Sequence, residues 1–234
     1  NTDTCCLTLP LKLEKWQEDR LAKRFEIARQ IYNTIVHAEL KKLRNIENSQ
    51  PYRQIQKQIE ALDWKNQSDN VLLKSLYNDR NKLLKASGFT EYGFKADIKN
   101  YYKHFNDNIG SNVAVHGIAP QVWAAFEKML FRKEDDIHSL RGYSVTGKSG
   151  GVEIIFRETY IEWKGLKLPL KRSPDNAYET EMLNRRVKYV RLLRKPGKRK
   201  DRWYAQLSLE GSPAIKRDPE SGELRHPIGR GAVG

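Results

Sequence analysis

Apolar and polar positions change period twice along the chain. Residues 3–9 alternate weakly and stop at Pro10, as an edge strand does. From about Glu14 the spacing becomes helical: Leu21, Phe25, Ala28, Ile31, Tyr32, Ile35 and Ala38 form one stripe running to about Leu43. The break at Asn48-Ser49-Gln50-Pro51 can open a second helix over 52–62. A third is predicted over 70–85 and closed by Ser87-Gly88, a fourth over 94–105, and a fifth over 119–131 with Pro120 in its first turn.

After Arg132 the pattern shortens to β-type runs separated by Gly and polar pairs, at 142–146, 152–156, 159–163 and 166–170. Two longer ones follow, 187–194 and 203–210. In the last, Trp203, Ala205, Leu207 and Leu209 fall on one face, with Tyr204, Gln206, Ser208 and Glu210 on the other. The order is therefore strand, helices, strands. The isolated first strand is expected to pair with the C-terminal β block, which makes the helices an insertion into a small β-barrel and the fold α+β with two lobes.

Charge sharpens this picture. Residues 185–204 carry ten Lys/Arg and one Asp, a net +9 of the chain's formal +14. The cations alternate with β-branched and aromatic residues at strand spacing, which suits a folded hairpin holding a polyanion rather than a solvated tail. The pI near 9.7 favours nucleic acid or an anionic membrane surface. No stretch approaches the ~20 apolar residues of a membrane span, and no secretory signal opens the chain. Adjacent Cys5 and Cys6 make a poor disulfide and an incomplete zinc set, so both are read as strand packing in a reducing, cytoplasmic setting. Asn1 and the Gly231-Ala232-Val233-Gly234 end read as cuts from something longer.

The candidate polyanion site is Arg185, Arg186, Lys188, Arg191, Arg194, Lys195, Lys198, Arg199, Lys200 and Arg202. Six of these are Arg, which can fork to two phosphate oxygens; the alternative is a solvated charged hairpin. Trp203 points to the core. Tyr204, on the opposite face, can stack on a base or simply pack. Trp163 is read as an interior plug, with Lys164 beside it able to touch backbone phosphate. On the long helix Arg24, Arg29 and Asn33 neighbour the apolar stripe. Arg29 and Asn33, one turn apart, can clamp nucleic acid or join a salt-bridge network with Glu26 and Glu39. Lys99, Tyr102 and Lys103 make a basic-aromatic surface, while Tyr101, Phe105 and Trp123 are read as core.

Catalytic chemistry finds no support. The five histidines lack metal-ligand spacing, the acids at 134–136 read as solvated, and no nucleophile–base pair stands out. Gly147-Lys148-Ser149 lacks the leading Gly and the following helix of a P-loop. No catalytic and no metal residue is assigned.

Several segments in order resemble the N-terminal half of a TnpB-like RNA-guided nuclease, the family related to miniature type V CRISPR effectors. Leu9-Pro10-Leu11-Lys12, then Gln17-Glu18 and Ala28-Arg29 with Tyr32-Asn33, resembles its opening strand and helix. The run 159–169 resembles its wedge hairpin, and Arg202-Trp203-Tyr204-Ala205 the strand after its basic turn. Residues 229–234 resemble the approach to a RuvC strand reading "[IV]-D-x-G". Lys12 stands where the family has a helix-capping Ser or Thr, Pro120 interrupts a helix it usually continues, and the passage from Phe131 to Asp136 is short.

The resemblance implies a first wedge strand at 1–12, a helical recognition domain at 13–132, a wedge barrel of oligonucleotide-binding type at 133–228, and the start of RuvC at 229–234. It implies guide-scaffold RNA on the basic hairpin, and target DNA with its guide duplex on the helices, where Gln121 and Lys128 join the candidates. Sequence reading is then delegated to base pairing. Cleavage by the intact endonuclease, with Mg²⁺, is implied for the RuvC domain, so this segment carries no cofactor of its own. Partners are guide RNA and double-stranded target DNA, with no membrane and a homodimer left open. Two other readings stay open: a nuclease-dead guided repressor, and a generic basic protein that binds structured RNA.

Overall fold

A computed structural model describes residues 3–132, 144–148, 153–214, 216–217 and 224–225. The acids at 134–136, His138, His226 and the segment 229–234 lie outside them. The described chain is mixed α+β with antiparallel sheets. Strand β1 (Thr4–Pro10) is followed by helices α1 (Lys15–Glu47), α2 (Gln50–Glu60), α3 (Gln67–Ala86) and α4 (Glu91–Asp97). The expected fourth helix is broken at Ile98. It continues as a single turn, α5 (Lys99–Tyr102), and a 3₁₀ turn, Lys103–Phe105. Next come α6 (Gly110–Asn112), a π-helical turn (Val113–Ile118) and α7 (Ala119–Arg132). The remainder is β2 (Ser144–Lys148), β3 (Ile154–Arg157), β4 (Tyr160–Trp163), β5 (Leu166–Pro169), α8 (Ala177–Leu183), β6 (Val187–Lys195), β7 (Arg202–Glu210), β8 (Lys216–Arg217) and β9 (Leu224–Arg225).

The chain packs as two units, divided differently from the division by period. One holds the described residues of 1–28, 105–117 and 141–234; the other holds 29–104 with 118–132. The long helix α1 thus contributes residues 15–28 to the first unit and 29–47 to the second.

In the first unit β1 does pair with the C-terminal β block. It runs antiparallel to β7 from Thr4 opposite Glu210 to Pro10 opposite Tyr204. The strand order is β1-β7-β6-β2 in one sheet, β3-β4-β5 in a second and β8-β9 in a third. Past Pro10 the chain turns from one sheet to another: Leu11 N donates to Trp203 O (2.9 Å), Lys12 N donates to Pro169 O (2.9 Å), and Leu11 bridges Leu170. Period-2 burial puts Cys5, Leu7 and Leu9 inward against Leu209, Leu207 and Ala205, with Phe25 of α1 set edge-on to Trp203 (5.1 Å, 88°). Only Cys5 is buried. Cys6 is exposed, because adjacent strand residues face opposite sides, and this corrects the reading of both as packing.

The start of α1 is capped without the Ser or Thr the resemblance leads one to look for. Gln17, in its first turn, accepts from Glu14 N (2.8 Å) and donates to Lys167 O (2.8 Å), the return half of a capping box.

In the second unit α2 and α3 pair around Ile59, Leu73 and Leu76. A separate aromatic cluster joins Phe89, Phe94, Trp123 and Phe126, with Phe94 5.2 Å from Phe126 and 5.5 Å from Trp123. Beside it, buried Glu39 and half-exposed Asp97 both face Lys42 Nζ, at 3.4 and 3.3 Å.

Candidate nucleic-acid interface

Strands β6 and β7 form the predicted hairpin, with Val190 opposite Leu207, Leu192 opposite Ala205 and Lys195 opposite Arg202. Val190, Leu192, Ala205 and Leu207 are fully buried, and each large apolar side chain so placed contributes about 1.5–3 kcal/mol. That inner row holds the hairpin on the protein and commits the alternate positions to the outside.

Arg194 departs from the reading that put all the cations on the outer side. Alternation from Val190 and Leu192 carries it inward, opposite Trp203. Its guanidinium lies 5.6 Å from the indole centroid and its Nε donates to Asp201 Oδ2 at 2.6 Å. It clamps the base of the loop rather than presenting to a partner.

Lys198, Arg199 and Lys200 are exposed at the tip. The loop that carries them is tight: a Cβ on Gly197 would sit 2.2 Å from the Lys200 carbonyl oxygen, so only glycine lets the backbone close there. Gly197 and the Arg194–Asp201 pair therefore fix the three cations in one turn.

At the hairpin's other end, Arg185 is half-buried, donating from Nη1 to Cys5 Sγ (3.5 Å) with Nη2 3.7 Å from Glu181 Oε1. Arg186 is exposed and reaches Glu210 at 3.9 Å, a weak surface pair. Lys188 sits half-buried at a β-bulge and has an intramolecular partner.

On the outer face the register sets cross-strand rows. Tyr189, Ser208 and Cys6 form one, Arg191, Gln206 and Thr8 the next, and Leu193, Tyr204 and Pro10 a third, with Lys195 and Arg202 at the rim. Arg191 Nε donates to Thr146 Oγ1 (3.2 Å), and Lys195 Nζ lies 4.9 Å over the Tyr204 ring. Tyr189, not among the residues expected from sequence, is 46% exposed, and its alternation with Arg191 is the signal that marks it.

Arg24 is the clearest correction among the candidates. It is only 7% exposed, stacks on Trp163 (5.1 Å), and donates to the Trp163 and Lys164 carbonyls, the latter at 3.1 Å. Burial, and secondarily Arg20, pulls its guanidinium down to about 10. Trp163 is the interior plug expected, with Nε1 donating to Ile109 O (3.1 Å). Lys164 is half-exposed in a two-residue hairpin turn with Gly165, at φ 46° and 75°.

The other helical candidates lie in the second unit. Arg29 and Asn33 are half-buried one turn apart, each with intramolecular partners. Lys99 and Lys103 are exposed and Tyr102 half-buried around the α5 turn. Gln121 and Lys128, half-buried and exposed, are two turns apart on α7, and Lys128 has a partner as well. Trp123 belongs to the aromatic cluster.

Among the described residues no group of three or more His, Cys, Asp or Glu is placed to hold a metal ion, and no helix is long and apolar enough to cross a membrane. No protein-family model matches the chain, and no curated protein matches it.

Proposed function

We propose that this chain is the guide-RNA-scaffold and target-DNA binding portion of an RNA-guided DNA endonuclease of the TnpB-like kind. The first unit is its wedge, an oligonucleotide-binding barrel, and the second its recognition lobe. The observation that carries this reading is the clamped hairpin tip: three exposed cations held in one turn by Gly197 and by Arg194–Asp201. A solvated surface has no need of such fixing, whereas a phosphate backbone rewards charges already in place. The barrel reading is supported by β1 passing from β7 at Leu11 to meet β5 at Leu170. Lys99, Tyr102, Lys103, Gln121 and Lys128 are proposed to meet target DNA or its duplex with the guide, through backbone and shape. Cutting by the intact protein is assigned to a RuvC domain following residue 234, whose carboxylates would hold Mg²⁺; the residues described here bind.

The test is salt dependence. With Lys198, Arg199 and Lys200 all replaced by Ala, the slope of log K against log [salt] for structured RNA is expected to fall by about two to three units. An unchanged slope removes the hairpin tip from the site. RNA recovered with the protein from its host is expected to be one dominant species, whereas a mixture rich in ribosomal RNA favours a generic RNA-binding protein.

A further inference from the structure

Resting on the RNA-binding reading above, we propose that the outer face of the β1-β7-β6-β2 sheet takes an unpaired stretch of RNA. Bases stack on Tyr189 and Tyr204, and Arg191 meets the phosphate between them. The face is built for contact. Tyr189, Arg191, Thr8 and Cys6 are exposed, and Tyr204 and Gln206 are half-exposed. Ser208 and Cys6 beside Tyr189, and Thr8 in the next row, are small, so a flat group can approach the sheet closely on the β1 side of the rings.

The spacing points to a single strand. Tyr189 stands in one row and Tyr204, opposite Leu193, two rows further on, so the rings are four residues apart along β6, or ~13 Å. Arg191 and Gln206 occupy the row between them. An extended strand whose bases are splayed apart can place alternate bases on the two rings and a phosphate at the intervening guanidinium. A duplex cannot, because its bases are already stacked on each other and only its backbone reaches a flat surface.

The charge agrees. The three rows on β1, β7 and β6 hold Arg191 and no acid, with Lys195 and Arg202 at the rim. The acid of the next row, Glu210, faces Arg186. Lys195 Nζ lies over the Tyr204 ring, so this face already takes a cation, and a base that stacks there takes the ammonium's place. Gln206 offers both a donor and an acceptor to a base edge.

The experiment uses the full chain, a labelled 12-mer of oligouridylate with no secondary structure, and a blunt RNA hairpin duplex. The double variant Y189A/Y204A is expected to weaken oligouridylate binding by at least tenfold with its salt slope unchanged, and to leave duplex binding as it was. Y189F/Y204F restores the affinity. Cys6 supplies a second readout on the unaltered protein: it lies in the Tyr189 row, so saturating oligouridylate slows its alkylation by iodoacetamide. Unchanged oligouridylate affinity in a folded double variant, or an unprotected Cys6, overturns the single-strand site. In that event duplex binding that still depends on Lys198, Arg199 and Lys200 leaves the wider RNA-binding reading standing. Failure of the protein to bind either RNA overturns both. If the double variant does not fold, Cys6 protection decides.

Discussion

Arg24 and Trp163 are joined twice: the guanidinium stacks 5.1 Å from the indole centroid, and its Nη1 donates to the Trp163 carbonyl. Because Nη2 also reaches Lys164 O, one helical side chain holds the β4–β5 turn from behind. Replacing Arg24 by Met leaves two carbonyls in that buried corner without their donor. The expected cost is about 2–4 kcal/mol, read as a lower urea midpoint. Arg24→Lys recovers only part of it, since an ammonium cannot bridge both oxygens while stacking.

The turn that Arg24 holds is itself strained. Lys164 adopts φ 46°, which a residue with a side chain occupies at a cost of roughly 1–2 kcal/mol. Lys164→Asn is expected to raise stability by up to about 1 kcal/mol, since Asn tolerates this conformation. Equal or lower stability in denaturant titration contradicts the strain.

Gly197→Ala separates shape from charge at the hairpin tip. Its Cβ would collide with Lys200 O, opening the loop while every cation stays. Affinity for structured RNA is expected to fall several-fold with little change in salt slope, in contrast to the triple alanine variant. Filter binding at several salt concentrations distinguishes the two.

Glu39 gives the fold a pH dependence. Burial, helped by neighbouring Asp97, pushes its carboxyl up from 4.5 to about 7 against the pull of Lys42. The folded state thus prefers the protonated acid. Its contribution is whole below pH 4.5, is lost as pH rises towards 7, and stays lost above. Glu39→Gln is expected to melt higher than wild type at pH 8 and near it at pH 4.5. A difference independent of pH between the two melting curves contradicts the assignment.

Local period told most of what was told in advance. The helical stripe of α1, the alternation of β7 and the isolation of β1 from the other strands all follow from side chains repeating at 3.6 or 2 residues. Arg194 was readable too, because it continues the inward row of Val190 and Leu192. So was α8, since Asn176 accepts from Glu179 N (3.2 Å) in the manner of a helix cap. Arg24 was not readable. Beside the apolar stripe it could turn either way, and the carbonyls that draw it inward lie about 140 residues further along the chain. Nor was the turn at 110–118. Glu153 takes its Val113 N–H (2.8 Å) and Ser111 hydroxyl (3.3 Å) from a distant segment, where a side chain on Gly110 would collide with it.

The pairing of β1 with β7 also sets an order of events during synthesis. The first strand carries Cys5, Leu7 and Leu9 in a row, and the strand that pairs with it is encoded some 200 residues later. At translation rates of roughly 5–20 residues per second, that apolar edge waits on the order of 10–40 s. Until β7 emerges β1 lacks its strand partner, and a nascent chain interrupted before Arg202 never completes this sheet.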